Sequence, residues 1–193
     1  MKFGLLNIAP GLRAGLAFVA AAAAGSTGAA PSLWSLDPAR THIGFEIEAA
    51  GYSPTKGVFH SFDGRIAVDF EHPERSGVAF HVQSQSVDVG SSSFSDYIRS
   101  AVFLDAMRFP TMDFVSSNVR KLDDHTIRVA GDLTLVGVTR PLTVDVMVRR
   151  EPRGALGFDV ETRIDRLDFG MNAGFPLVAR EVVLKISTEA VPL

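Results

Sequence analysis

The chain has 193 residues, of which 46% are hydrophobic and 21% are charged, and its formal net charge is −3. An acidic chain lacks the clustered positive charge that binds nucleic acid, so nucleic acid is excluded as a predicted partner. The sequence contains no cysteine, which excludes disulfides, thiol catalysis and cysteine-ligated zinc.

Residues 1–30 are predicted to form a cleaved secretory signal peptide. Lys2 and Arg13 precede an apolar run over residues 15–24, which is far shorter than the ~20 residues of a membrane-spanning helix. Small residues follow, and Ala30, with Gly28 two positions before it, suits cleavage by signal peptidase. The alternative is an uncleaved N-terminal membrane anchor. Cleavage leaves residues 31–193 as one domain with a net charge of −5.

Most of the remaining chain alternates between apolar and polar residues, which is typical of β-strands with one buried face. The clearest case is a hairpin over residues 125–150, for which Gly137 and Pro141 are predicted to supply the turn. The apolar face of its second arm consists of Leu142, Val144, Val146 and Val148. The predicted strands are 33–36, 42–49, 58–62, 65–70, 78–87, 112–121, 125–136, 141–150, 156–167 and 182–190.

One segment, residues 91–109, has a helical period instead. Phe94, Tyr97 and Ile98 recur at helical spacing after a serine-rich start that can cap a helix, and Pro110 ends the pattern. Eight to ten antiparallel strands with one helical insertion are compatible with a sandwich or a closed barrel. Because long meander strands remove exposed edges by closing, we predict an all-β fold, an eight-stranded antiparallel lipocalin-like barrel with one inserted helical segment.

Phenylalanine is the dominant aromatic residue, with fourteen Phe against two Tyr and one Trp. Side chains that are bulky and carry no polar group favour a dry environment. They could line an apolar ligand cavity, or they could fill the interior of the barrel themselves. The composition leaves both alternatives open.

Short motifs follow one another over most of the chain. They are G-Y-S (51–53), G-V-F (57–59), F-D-G (62–64), S-V-D (86–88), I-R-S (98–100), F-L-D (103–105), F-P (109–110), G-D-L-T-L-V-G-V-T-R-P (131–141) and R-L-D-F-G (166–170). Their order and spacing resemble the YceI-like family of exported, lipocalin-fold proteins that bind polyisoprenoid lipids. The resemblance implies a barrel with a helical segment over it, an apolar tunnel for an isoprenoid chain and a periplasmic location.

The chain departs from the family in polar residues. Where family members often carry histidines, this chain has Arg40 and Ala49, and Phe94, Ser95 and Tyr97 replace an Arg-Asp-x-His element. The head-group candidates that remain are Arg40, Arg99 and Arg140. No metal ligand set is predicted, because the five histidines form no close cluster in sequence.

Each of these candidates has a structural alternative. Arg99 could reach a ligand phosphate or extend over the barrel rim. For Arg140, beside the hairpin turn, a solvated loop charge is favoured. The Tyr97 hydroxyl could hydrogen-bond a quinone or isoprenol head, or the ring could simply pack. Asp168 is expected to organise a turn.

The predicted function is non-catalytic binding, storage or transport of an isoprenoid or similar long apolar lipid, such as a quinone, without cofactor or metal. The residues predicted to line the tunnel are Ile43, Phe45, Ile47, Phe80, Val82, Tyr97, Ile98, Phe103, Phe114, Leu133, Leu135, Val144, Val146 and Phe158. The alternatives are a structural or interaction protein of the cell envelope with a self-filled barrel, and an enzyme acting on an isoprenoid. No nucleophile-elbow pattern supports the enzyme. The oligomeric state, monomer or homodimer, is left open.

Overall fold

Residues 29–193, which the computed structural model describes, form eleven strands and one α-helix. The strands are β1 (Ser32–Leu36), β2 (His42–Ala49), β3 (Thr55–Phe59), β4 (Phe62–Val68), β5 (Gly77–Gln83), β6 (Val87–Asp88), β7 (Thr111–Lys121), β8 (Thr126–Leu135), β9 (Val138–Arg150), β10 (Leu156–Asp165) and β11 (Val178–Pro192). The helix, α1 (Ser92–Arg99), lies between β6 and β7. Residues 1–28 of the predicted signal peptide lie outside the described residues, so its cleavage stays a prediction. In residues 29–193, no helix combines the length and the hydropathy that crossing a membrane requires.

Eight of the strands close into a barrel in the order β1, β4, β5, β7, β8, β9, β10 and β11, with every neighbouring pair antiparallel. The ring closes where β11 pairs with β1, from Trp34 opposite Pro192 to Leu36 opposite Ala190. Strands β2, β3 and β6 extend the sheet from β11. The predicted all-β, eight-stranded antiparallel barrel with an inserted helix is confirmed.

The β8–β9 hairpin has a tighter turn than predicted. Val136 (φ 49°) and Gly137 (φ 73°) connect the strands, and positive φ at both positions is typical of a type I′ turn. The prediction that Pro141 belongs to the turn is wrong, because it lies within β9 opposite Asp132. Strand β9 pairs with β10 only from Val146 onward, so at Pro141 no ladder on that side needs the missing N–H.

Helix α1 ends at Arg99, and the prediction of a helix to residue 109 is wrong beyond that point. The amide N–H of Ser100 donates to the carbonyl oxygens of Asp96 and Tyr97, which completes the last turn. Asp105 then adopts a φ of 43°, which reverses the chain. Of the apolar residues that continue the helical spacing, Leu104 is buried in the interior, whereas Ala101 and Val102 are exposed.

The barrel interior contains two apolar clusters, one at each end. The closed end of the barrel carries the β2–β3 and β8–β9 turns, α1 and residues 166–177, while the open end carries the β4–β5, β7–β8 and β9–β10 turns. The buried residues of the closed-end cluster are Ile43, Phe59, Val82, Val87, Ile98, Leu104, Ala106, Leu133, Leu135, Ile164, Phe169 and Met171. Those of the open-end cluster are Trp34, Val119, Val129, Val146, Leu156, Phe158 and Ala190.

Arg166 fixes the loop that covers the closed end. Its side chain is 1% exposed and donates hydrogen bonds to the carbonyl oxygens of Ala179 (2.8 Å), Val178 (3.0 Å) and Met171. Burial lowers the pKa of the Arg166 guanidinium, while the neighbouring Asp165 acts in the opposite direction. Three backbone carbonyls thus replace the water that this cation loses, and they join β11 to the loop after β10.

Candidate binding cavity

An internal cavity of about 680 Å³ occupies the half of the barrel next to the open end. Alternate residues of the strands face it, as expected for the inner wall of a barrel. Its apolar wall consists of Leu36, Ile66, Val68, Val78, Phe80, Phe114, Val119, Ile127, Val129, Leu133, Leu142, Val144, Val146, Val148, Leu156, Phe158, Val160, Leu184 and Ile186. Away from the mouth, the polar side chains of the wall are those of Thr162 and Thr188. The volume lies within the range of small-molecule sites, and the wall suits an apolar guest.

The cavity stops at a floor, defined here as Leu36, Phe80, Phe114, Leu133, Leu142, Thr162 and Leu184, the deepest lining residues on their strands. The next inward residues toward the closed end, such as Val82, Leu135 and Ile164, belong to the closed-end cluster. Phe62 stacks against Phe80 at a centroid distance of 6.2 Å and packs against the same cluster. The barrel is therefore filled on one side of the floor and hollow on the other.

Two inward-facing glycines allow the aromatic rings of the floor to lie against the wall. A Cβ atom at Gly64 would lie 2.9 Å from Cδ2 of Phe80 and 2.8 Å from Cδ1 of Leu36. A Cβ atom at Gly131 would lie 2.7 Å from Cζ of Phe114. Phe80 and Phe114 are also cross-strand partners on β5 and β7. The rings thus occupy space that only glycine leaves free.

The mouth of the cavity carries charges of both signs. Lys121 Nζ binds Asp124 Oδ1 at 2.6 Å, and this hydrogen bond holds the pKa of the Asp124 carboxyl below its usual range. Arg149 pairs with Glu151 (Nε–Oε1 3.0 Å) and with Asp159. These exposed pairs leave the lysine and this arginine with carboxylate partners beside the opening.

Arg150 differs from these cations. Its guanidinium lies over the ring of Phe70, with Cζ 5.6 Å from the ring centroid, and both residues line the mouth. Among the salt bridges of residues 29–193, none includes Arg150. Residues 29–33 and the C-terminal Leu193 lie nearby, because Leu193 N donates to Leu33 O at 2.9 Å and Arg75 Nη2 donates to Ala29 O at 2.9 Å.

The residues predicted to line a tunnel divide between the two halves of the barrel. Those that line the cavity are Phe80, Phe114, Leu133, Val144, Val146 and Phe158. Those that pack in or against the closed-end cluster are Ile43, Phe45, Val82, Ile98, Phe103 and Leu135, with Phe80, Phe114 and Leu133 shared by both groups. Ile47 lies farther along β2, opposite Thr55 and Val182. Tyr97 is 48% exposed on α1 and contacts Phe103 edge-on at 5.3 Å, away from the cavity.

None of the three predicted head-group arginines lines the cavity. Arg40 is exposed and binds Glu189 Oε2 at 2.6 Å, an interaction that raises the pKa of its guanidinium. Arg140 donates from Nε to the carbonyl oxygen of Asp168 at 3.2 Å.

Arg99 has the largest set of contacts of the three. It donates to the carbonyl oxygens of Gln85 (2.9 Å) and Val87 (2.6 Å) and to Asp96 Oδ1 (2.8 Å). These bonds tie α1 to the β5–β6 segment. The side chain therefore holds the helix over the closed end, at the end of the barrel opposite the mouth.

The predicted site does not include the mouth residues Phe70 and Arg150, although the sequence contains a signal for them. Arg150 continues the inward face of β9 that includes Val146 and Val148, and Phe70 continues the face of Ile66 and Val68. Alternation alone therefore directs both side chains toward the interior at the strand ends.

The titratable pair that lies closest to catalytic geometry is outside the cavity. His81 Nδ1 and Asp113 Oδ1 are 2.5 Å apart across β5 and β7, and Thr111 Oγ1 donates to Asp113 Oδ2 at 3.1 Å. None of the three lines the cavity. Within residues 29–193, no group of three or more His, Asp or Glu side chains is arranged to hold a metal ion.

A family model, sequence relatives and solved structures all match this chain over most of its length. Residues 34–190 match the model of the YceI-like domain family. The chain is 33% identical over 184 residues to Protein YceI of Salmonella arizonae, a match that covers 91% of this chain and 96% of that protein. It is similar in structure to Burkholderia cenocepacia BcnA (TM-score 0.76, 25% identity, 81% of this chain and 99% of that chain). It is also similar to a polyisoprenoid binding domain from Saccharophagus degradans implicated in plant cell wall breakdown (TM-score 0.70, 14% identity, 83% and 98%).

Proposed function

This chain belongs to the YceI-like family, and we propose that it binds an isoprenoid or similarly long apolar lipid, such as a quinone, in the cavity of its barrel. The observation that carries the proposal is the cavity of about 680 Å³ with an almost wholly apolar wall. The description of the Saccharophagus degradans neighbour as a polyisoprenoid binding domain supports the same ligand class. In this proposal the protein stores or carries the lipid and leaves it chemically unchanged.

Burial of the hydrocarbon supplies enough free energy for such a site. At ~0.8 kcal/mol for each buried CH₂-sized group, a chain of about twenty carbons gains about 15 kcal/mol before the costs of association and ordering. Those costs remove a large part of the gain. The remainder still suffices for useful affinity without strong polar contacts, so the site does not depend on the histidines that this chain lacks.

We place the head group of the lipid at the mouth, beside Arg150. A guanidinium that lies over an aromatic ring keeps its N–H donors available to phosphate or carbonyl oxygens. Lys121 lies at the same opening but already contacts Asp124. An anionic or carbonyl head group at this position leaves the hydrocarbon facing the floor.

The proposed location of the protein is the periplasm. The basic residues, the apolar run and the small residues of segment 1–30 are the features of an exported precursor. A compartment between two membranes is also where a carrier of a water-insoluble chain is useful.

The alternative of an envelope scaffold with a self-filled barrel is less well supported. It requires phenylalanines to fill the interior from end to end, whereas Phe80, Phe114 and Phe158 border open space. The filled half next to α1 agrees with the alternative. The hollow half does not.

Ligand extraction and uptake test the proposal. The purified protein should release a lipid into organic solvent, and native mass spectrometry should show uptake of a prenyl alcohol. Val144→Trp, which extends a wall residue into the cavity, should weaken uptake by about tenfold or more, since the ring takes the volume of several carbons. Val115→Trp adds the same bulk on the exposed face of β7 and should have no effect. Absence of both extracted lipid and uptake would overturn the proposal.

A further inference from the structure

We propose that the floor of the cavity limits the bound chain to about four isoprene units. This inference rests on the proposed function and specifies which lipids the cavity accepts. It follows from three features of the structure: the volume of the cavity, its depth, and the way Phe80 and Phe114 are held at its floor.

The volume gives the first limit. At about 30 Å³ for each group the size of a water molecule or a CH₂ group, a cavity of about 680 Å³ holds about twenty carbon atoms. Twenty carbons correspond to four isoprene units. A chain of eight units would leave about half of its carbons outside the mouth.

The depth gives the same limit. Thr126 lies at the mouth and Leu133 at the floor, both on β8. The seven residue-to-residue steps from Thr126 to Leu133 span about 23 Å along the strand, or about 18 Å along the axis of a barrel whose strands tilt by about 40°. An extended chain advances about 3.5 Å for every three bonds, so the depth accommodates about fifteen bonds. Each isoprene unit contributes four bonds to the main chain, which again gives about four units.

The floor is held in place from both sides. Gly131 lets the ring of Phe114 lie against the wall, and Gly64 does the same for Phe80. Behind Phe80, the ring of Phe62 is stacked at 6.2 Å and packs against the closed-end cluster. A longer chain would have to displace packed side chains to pass the floor. A fixed floor limits the length of chain that can be buried, because the extra carbons of a longer chain stay outside the mouth and gain no buried contact.

Binding of a series of prenyl alcohols to the full protein tests the limit. Alcohols of three, four, six and eight isoprene units compete with a fluorescent fatty acid at equilibrium. Affinity should rise about tenfold or more from three units to four, because the added carbons are buried. From four units to eight it should change by less than about threefold, because the added carbons stay in water.

A pair of Phe→Ala variants tests the part played by the floor. Phe114→Ala removes six ring carbons, about the bulk of one isoprene unit, and should make a chain of five units bind about tenfold more tightly than one of four. Phe103→Ala removes the same atoms beside α1, away from the cavity, and should keep the wild-type length profile. Phe80→Ala is the substitute if Phe114→Ala does not fold, since both rings belong to the floor.

The outcomes separate this inference from the proposed function. An affinity that rises tenfold again from four units to eight, with no shift in Phe114→Ala or Phe80→Ala, overturns the limit while the lipid-binding function stands. Failure of every prenyl alcohol to bind overturns both. A plateau at four units that moves only in the floor variants supports both.

Discussion

Gly131→Ala is expected to destabilise the barrel by about 3 kcal/mol, at the upper end of the ~1–3 kcal/mol cost of overpacking. A Cβ atom at Gly131 would lie 2.4 Å from the carbonyl oxygen of Val115, 2.7 Å from Cζ of Phe114 and 2.8 Å from Cα of Ser116. Favourable contacts between heavy atoms begin at about 3.5 Å, so the methyl group would overlap its neighbours by about 1 Å. Two of those neighbours are backbone atoms of the β7–β8 ladder, which cannot move without loss of pairing.

Urea unfolding measures the effect, followed by the fluorescence of Trp34, the single tryptophan, which is 7% exposed in the open-end cluster. A loss of about 3 kcal/mol should lower the urea midpoint at constant slope and lower Tm by about 6–12 °C. Gly77→Ala is the matched control, because the nearest atom to its Cβ would be Ser116 Oγ at 3.5 Å. Its midpoint should equal or slightly exceed that of the wild type. A Gly131→Ala midpoint equal to that of Gly77→Ala would refute the argument from close contact.

Three further predictions concern charged residues. Arg166→Met should lower the free energy of unfolding by about 3–5 kcal/mol in the same urea assay, because three buried carbonyls lose their hydrogen-bond donor. The matched control Arg163→Met, at an exposed position, should lower it little. Equal urea midpoints for the two variants would contradict this prediction. The hydrogen bond from Arg180 holds the pKa of Asp165 below its usual range. The ionised Asp165 therefore stabilises the folded protein fully above about pH 4, and this stabilisation is lost as the pH falls through the lowered pKa that Asp165 has in the folded protein. Asp165→Asn should therefore flatten the acid limb of a Tm–pH curve, and an unchanged limb would contradict the assignment. Arg150→Gln should weaken binding of a prenyl phosphate by about tenfold and leave the prenyl alcohol of equal length unchanged; equal effects on both ligands would remove Arg150 from the head-group site.

The barrel could be predicted from the sequence because alternation reports the inner face of a strand directly. Alternation predicts that Val144, Val146 and Val148 share one face of their strand, and all three line the cavity. The end of α1 could not be predicted in this way. Leu104 continues the helical spacing of Phe94, Tyr97 and Ile98, but it reaches the closed end through tight turns, and spacing does not distinguish the two routes.

The position of the cavity along the barrel axis could not be predicted. Phe45 and Phe80 both lie opposite an inward-facing glycine, Gly57 and Gly64 respectively, so their local sequence contexts are alike. Phe45 packs against Phe59 in the filled half, whereas Phe80 borders the cavity. Whether such a phenylalanine is packed or borders the cavity depends on the side chains that it meets across the barrel, and these come from residues distant in sequence. The same dependence explains why the predicted tunnel residues divide between the two halves.

Because one half of the barrel is filled, a bound molecule can enter and leave the cavity only through the mouth. A molecule inside cannot pass through and leave on the far side, so it must withdraw along the path by which it arrived, with its innermost atoms last. Under the proposed function, any donor or acceptor of the lipid faces the same rim, where the β4–β5, β7–β8 and β9–β10 turns meet. In such a carrier, delivery and collection of the lipid are successive events at one rim, and the protein exchanges lipid with one partner at a time.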